Sequence, residues 1–184
     1  MNEVQLIRGQ LTRERQHAAE VARACATALA TPDLAFRQAG VEYLAWILSR
    51  FEEREQVFHD LLRGSFAAED PNRRAVEAAL ALPGSSREAL TKLEAALEPA
   101  RSRSTVEAGD ADPRWTEFLR FFSGPWSARR DEIDRLFERQ AKVADWRTVS
   151  GIDADSIVEE RNRYARVTAT LPEGIEMSPA ASRP

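Results

Sequence analysis

Acidic side chains interrupt the apolar stripes of predicted helices, and histidines lie close to two of them. Glu14 and Glu55 occupy positions where the three-and-four spacing of apolar residues predicts an inward side chain, and Glu160 does so in the last helix. His17 follows Glu14 by three residues and His59 follows Glu55 by four, so each pair shares one helix face. Because an unpaired carboxylate is costly to bury, we expect these acids to be ion-paired, protonated or bound to a metal.

Metal binding is the chemistry that such a set could perform. Bundles that hold two iron or manganese ions use inward glutamates and Glu-x-x-His pairs, since carboxylate oxygens bridge the ions and imidazole completes each one. Residues 14–17 (ERQH) have that spacing, whereas His59 is one residue too far from Glu55. The alternative is a structural role, in which the acids reach solvent or pair with an arginine. The candidate arginines are Arg15, Arg50 and Arg54.

The elements that must position these residues are helices. Alanine, leucine, glutamate and arginine dominate the 184 residues and strand-like alternation is almost absent, so the predicted fold class is all-α. Two long helices, about residues 2–30 and 33–64, are joined by a very short connector, which predicts an antiparallel hairpin. Shorter helices are expected to close the bundle after Pro71.

Caps and breaks divide the rest of the chain. The predicted N-caps are Asp33, either Ser85 or Ser86, and either Asp153 or Asp155. Breaks are predicted at residues 83–84, 123–125 and 150–151, where glycine adjoins proline or serine. We expect a mobile loop over residues 102–113, a single domain over 1–171 and a disordered tail over 172–184.

Two segments of the predicted hairpin resemble the hemerythrin-like, or HHE, bundles. They are residues 11–17 (LTRERQH) and 48–58 (LSRFEEREQVF). That family typically has a histidine in its first helix and a His-x-x-x-Glu-Glu-x-x-Leu-Phe pattern in its second. Against this pattern Glu53 lies on the metal glutamate, Ser49 stands at the histidine, and the later helices contain no histidine. The resemblance implies a bundle descended from that fold rather than a working oxygen-binding di-iron site. We expect either an atypical core site, for non-haem iron or another divalent metal, or no metal site, and the family pattern favours Glu53 over Glu55 as the inward acid.

Composition restricts the partners. A net charge of -4 and a pI near 5.4 argue against a nucleic-acid or anionic-membrane surface, because such partners require a basic face. No apolar run approaches the ~18 residues of a membrane span. The first residues lack the basic start of a secretory signal, so we expect a cytoplasmic protein. The sole cysteine, Cys25, lies on an apolar stripe and is expected to be a buried structural thiol.

Two functions follow from these observations. The first is a hemerythrin-like bundle with a metal or small-ligand site in its core, for which the candidate metal ligands are Glu14, His17, Glu53, Glu55 and His59. The second is a non-enzymatic interaction protein. Its basis is the aromatic concentration over residues 115–126, which either packs in the core or forms a surface for a second copy or another protein.

Overall fold

A computed structural model describes residues 3–28, 33–67, 69–102, 113–140, 142–151 and 153–177. All the regular structure in these ranges is helical, which confirms the all-α class. The elements in chain order are α1 (Glu3–Thr27), α2 (Leu34–Ser65), α3 (Pro71–Leu80), α4 (Ser86–Ser102), α5 (Pro113–Phe121), a π-helical segment (Phe122–Trp126), α6 (Ser127–Gln140), α7 (Val143–Ser150) and α8 (Ala154–Ala169).

Side-chain caps fix where several helices begin. Asp33 and Asp153 each accept a hydrogen bond from the backbone N–H three residues further on, at 3.0 Å and 2.7 Å. At the start of α4 the Ser85 hydroxyl accepts from the Glu88 N–H at 3.2 Å, and the Glu88 carboxylate accepts from the Ser85 N–H at 2.9 Å. This reciprocal pair is a capping box. Asp33 and Asp153 are confirmed as caps, and Ser85 is the cap of the Ser85–Ser86 pair.

The predicted break at residues 123–125 is wrong. The chain passes from α5 through the π-helical segment into α6 without interruption. A π-turn bonds residues five apart, and this wider turn accommodates Pro125, which has no N–H to donate. The rings of Phe122 and Trp126 stack inside the segment, with centroids 4.5 Å apart and planes 8° from parallel.

The apolar interior consists of two clusters. The main cluster contains side chains from α1, α2, α4, α5, the π-helical segment and α8. The buried members of the second cluster are Ile7, Phe58, Val76, Ile133, Phe137, Trp146 and Val149. The aromatic side chains of the 115–126 region belong to the main cluster: Trp115, Phe118, Phe122 and Trp126 are all buried there. They therefore fill the core and do not form the exposed apolar surface that an interface would use.

Helices α1 and α2 approach closely at Gly40. A Cβ atom built on Gly40 would lie 2.3 Å from the Cys25 sulfur, so only glycine fits at this position without a shift. Cys25 is buried, as predicted, and burial raises the pKa of its thiol to about 12. Further along, Glu14 on α1 meets Arg54 on α2. Both contacts join α1 to α2, and residues 29–32, which include the predicted connector of the hairpin, lie outside the described residues.

The predicted tail is ordered at its start. Ile175 and Met177 are half-buried and pack against the main cluster, and the Ile175 N–H donates to the Pro172 carbonyl at 3.2 Å. Residues 178–184, the rest of the predicted tail, lie outside the described residues. Residues 103–112, which make up most of the predicted mobile loop, also lie outside them.

Candidate functional site: a buried polar layer and its cleft

Charged and polar side chains interrupt the apolar interior. On α1 they separate Ile7 of the second cluster from Ala18 of the main cluster, and on α2 they separate Phe51 from Phe58. We call this set the polar layer, and its buried members are Gln10, Glu14, His17, Arg54, Glu55, Ser86, Arg129, Arg130, Ser150 and Glu160. Its three carboxylates and three guanidinium groups balance in charge. Such groups are tolerated inside a protein only when they are paired and hydrogen-bonded.

Glu14 and Arg54 form the most deeply buried pair of the layer. Glu14 is 0% exposed and Arg54 is 3% exposed, and the Arg54 Nη1 donates to Glu14 Oε2. The Arg54 Nε donates to the Ser150 carbonyl at 2.6 Å, which fixes the guanidinium between α1, α2 and α7. Burial lowers the pKa of Arg54, and the carboxylate of Glu14 opposes that shift. The arginine thus supplies the positive charge that a metal ion would have given this acid.

Glu160 organises a second group of side chains. Its Oε1 lies 2.8 Å from the His17 Nδ1 and accepts a hydrogen bond from the Tyr43 hydroxyl at 2.9 Å. Burial raises the pKa of Tyr43 well above its usual value, and the charges of Glu160 and Glu14 add to the shift, so the phenol remains a donor. The His17 ring stacks on Tyr164, with centroids 3.8 Å apart and planes at 14°. Both the ring plane and one ring nitrogen of His17 are therefore fixed.

The other ring nitrogen of His17 is available. Nε2 has no hydrogen-bond partner among the described residues, and the residue lines a cleft between α1 and α8. The cleft is walled by Gln10, Arg13, His17, Ile157, Glu160, Arg161 and Tyr164. Its volume is about 280 Å³ including open solvent, and only about 10 Å³ of this can be occupied by the centre of a water-sized sphere. That is room for about one water molecule.

Glu55 and Arg129 have structural partners. The Ser86 N–H donates to Glu55 Oε2 at 3.1 Å, so the carboxylate satisfies a donor in the first turn of α4. Arg129 lies 3.8 Å from Glu55 Oε1 and donates to the carbonyls of Leu80 and Leu82 at the end of α3. This pair therefore ties the ends of two helices to α2 and α6.

Arginines cap other helix ends as well. Arg50 donates to the Gly151 carbonyl at 3.1 Å, beside the bond from Arg54 to Ser150, and Arg37 donates to the Ala28 carbonyl at 3.3 Å. The last carbonyls of a helix lack intrahelical partners and carry partial negative charge, so a cation there is favourable. A guanidinium offers several donors in a fixed fork, which a lysine does not. The sequence has only two lysines, Lys92 and Lys142, and its other basic residues apart from the two histidines are arginines.

The structure separates the five predicted metal ligands. Glu14, His17 and Glu55 are buried, whereas Glu53 is exposed and His59 lies at the surface with its Nδ1 3.2 Å from an Asp60 oxygen. The inward acid is therefore Glu55, as the apolar stripe predicted, and the choice of Glu53 from the family pattern is wrong. Within the described ranges, no three His, Cys, Asp or Glu side chains come together in a group that could hold a metal ion.

Sequence reasoning missed other members of the site. Arg129 and Arg130 interrupt the apolar pattern between Trp126 and Ile133, so the signal that identified Glu14 was present for them too. Tyr43 gave no signal, because a tyrosine on an apolar stripe is ordinary core material until its hydrogen-bond partner is known.

Comparison of the chain with models of protein families, with curated proteins and with solved structures finds no match. The proposed function therefore rests on the geometry of the polar layer and the cleft. In the part of the chain that is described, no helix has the length and apolar character needed to cross a membrane.

Proposed function

We propose that this protein is a helical bundle that binds a small ligand in the cleft between α1 and α8, with His17 as the principal contact. The observation that carries the proposal is the state of the His17 ring. One ring nitrogen is held by the buried carboxylate of Glu160. The other has no hydrogen-bond partner among the described residues, and His17 itself lines the cleft. A contact group fixed in this way loses little entropy when a ligand binds.

The rest of the polar layer supports this group. Glu14 is engaged by Arg54, and Glu55 is engaged by the Ser86 N–H, so these acids stabilise the helix packing. Tyr43 and Tyr164 hold Glu160 and His17 from the side of the main cluster. Polar groups that position a functional side chain are a common reason for ionisable residues in a core.

Metal binding is the second candidate. A histidine that donates one nitrogen to a carboxylate and keeps the other open is also the usual arrangement of a metal-binding histidine. The same cleft, however, is lined by Arg13 and Arg161, whose positive charges repel a divalent cation. Glu14, the acid nearest to His17 in the sequence-based metal motif, is already paired with Arg54. These contacts favour a non-metal ligand.

The test is a nuclear magnetic resonance titration of the labelled protein. The probes are acetate, sulfate, an alkylamine and the ions Mn²⁺ and Zn²⁺. We expect at least one non-metal probe to give saturable shifts at His17 and Ile157, and we expect His17→Gln to abolish them. His59→Gln is the matched control, because His59 lies at the surface outside the cleft and should leave the titration unchanged.

Two results would contradict the proposal. One is the absence of saturable shifts at the cleft with every probe. The other is stoichiometric iron, manganese or zinc in protein purified without chelator and lost in His17→Gln, which would replace the proposed site by a metal centre.

A further inference from the structure

We infer that the ligand of this cleft is a small oxyanion, carboxylate-like or phosphate-like, and that it binds together with a proton on His17. The inference rests on the proposed function and specifies its ligand class. It follows from the juxtaposition of Arg13, His17 and Arg161 along one cleft, in which Glu160 also takes part and lies 2.8 Å from the histidine Nδ1.

The two arginines bring positive charge to the cleft, and neither has an acid within ion-pair distance among the described residues. Arg161 is exposed and forms no ion pair with an acid of the described residues. Arg13 is also exposed, and its Nη1 donates to the neutral side-chain oxygen of Gln10 at 3.3 Å. Guanidinium groups are well suited to carboxylate and phosphate oxygens, since their donors lie in one plane.

Glu160 makes the protonated ring of His17 the favourable partner for an anion. Glu14 has Arg54, but Glu160 has no arginine or lysine within ion-pair distance among the described residues, and its charged partner would be the imidazolium of His17. A neutral ring bonded to Glu160 through Nδ1 would turn an Nε2 lone pair towards the anion, whereas the imidazolium turns an N–H donor towards it. The proton comes from solvent and remains on the ring while the anion is bound.

Other charged and titratable groups lie on the helices that pack around the ring. They are Arg13, Glu14 and Glu20 on α1, Tyr43 and Arg54 on α2, and Glu160, Arg161 and Tyr164 on α8. Burial raises the pKa of Tyr43 and of Tyr164, so both phenols remain neutral at physiological pH. Because Glu14 is compensated by Arg54, the acids that face the imidazolium are Glu160 and, through Tyr164, Glu20.

The size of the cleft fits a small oxyanion. The cleft has room for about one water molecule, which one anion oxygen can replace. The remainder of the ligand would lie in the open mouth, where Arg13 and Arg161 are exposed.

Calorimetric titration with sodium sulfate and with sodium acetate tests the inference. Both probes stay ionised from about pH 5.5 to about pH 8, the range in which a histidine changes charge. Titrations in two buffers with different heats of ionisation count the protons taken up. We expect uptake approaching one proton per anion at the upper pH, and affinity that falls by up to about tenfold per pH unit there. Preference for sulfate or for acetate would distinguish a phosphate-like from a carboxylate-like ligand.

Three variants complete the experiment. His17→Asn retains a neutral donor towards Glu160 and should remove both the proton uptake and the pH dependence. Arg161→Gln should weaken binding several-fold without affecting the fold, because Arg161 is exposed. His59→Asn should behave like the wild type. Circular dichroism of each variant verifies that it is folded.

The outcomes separate this inference from the proposed function. Anion binding without proton uptake, or with the same pH dependence in His17→Asn, would refute the inference and leave the cleft as a ligand site. Failure of both anions, with the alkylamine shifting His17 in the magnetic resonance titration, would also refute it. Failure of all probes in both experiments would refute the proposed function as well.

Discussion

Replacing Glu14 by glutamine tests whether the polar layer is held together by its buried ion pair. The substitution preserves the shape of the side chain and one acceptor oxygen, but it removes the negative charge beside Arg54. Glu14 is 0% exposed and Arg54 is 3% exposed, so water cannot take over the role of the carboxylate. Removing one partner of a buried ion pair costs about 3–5 kcal/mol, because the charge of the other partner remains buried without compensation.

Urea unfolding followed by circular dichroism measures this cost. With a slope of about 2 kcal/mol per molar urea, a loss of about 4 kcal/mol lowers the unfolding midpoint by about 2 M. The matched control is Glu53→Gln: Glu53 is exposed on α2, and the free energy of unfolding should change by no more than about 0.5 kcal/mol. The double variant Glu14→Leu/Arg54→Met removes both charges and should be more stable than Glu14→Gln.

A stabilising role of the buried pair would be refuted if Glu14→Gln lowered the free energy of unfolding by less than about 1 kcal/mol, which is the contribution of a surface ion pair. It would also be refuted if the double variant were less stable than Glu14→Gln by a further margin of about 3–5 kcal/mol, the cost of breaking a buried pair.

Further predictions concern packing and titration. Gly40→Ala should cost about 1–3 kcal/mol through overpacking against Cys25, and adding Cys25→Ala should restore part of that loss in thermal unfolding. Gly84→Ala should be strongly destabilising, since Gly84 has φ +106° and an added Cβ would lie 2.2 Å from a backbone oxygen, whereas Gly64→Ala, with open space around it, should not destabilise. Cys25, with a pKa raised to about 12, should react with a thiol reagent at neutral pH only after unfolding. Hydrogen bonds from the Gly84 and Ser85 N–H groups lower the pKa of Glu88, so its contribution to stability should be present above its ordinary value of 4.5 and be lost as pH falls below it. Glu88→Gln should remove that part of the acid-side loss when unfolding is measured across this range.

The positions of the buried acids could be predicted because helix periodicity is local. Glu14, Glu55 and Glu160 each replace an apolar residue at a regular spacing, and all three are buried. The sequence left the choice between Glu55 and Glu53 open, because the periodicity favoured Glu55 and the family pattern favoured Glu53. In the structure Glu55 is the buried acid of the two.

The partners of these acids could not be predicted in the same way. Arg54 is 40 positions from Glu14, and Glu160 is 143 positions from His17, so each pairing depends on how the helices pack. The sequence offered three arginines and no means of choosing among them. The continuous helix at Pro125 was also not predicted, because a π-helical segment has no sequence signal that distinguishes it from a helix break.

The most direct test of the central claim is the protonation pattern of the His17 ring, measured by ¹⁵N magnetic resonance of the two histidines in the chain. In the structure Glu160 lies within hydrogen-bond distance of the His17 Nδ1, and the proposed ligand would bind at Nε2. Once the ring is neutral, we therefore predict a protonated Nδ1 in slow exchange with solvent and an unprotonated Nε2 for His17, with the surface residue His59 as the internal reference. A neutral His17 that carries its proton on Nε2 would contradict the account, because Nδ1 could not then donate to the Glu160 carboxylate.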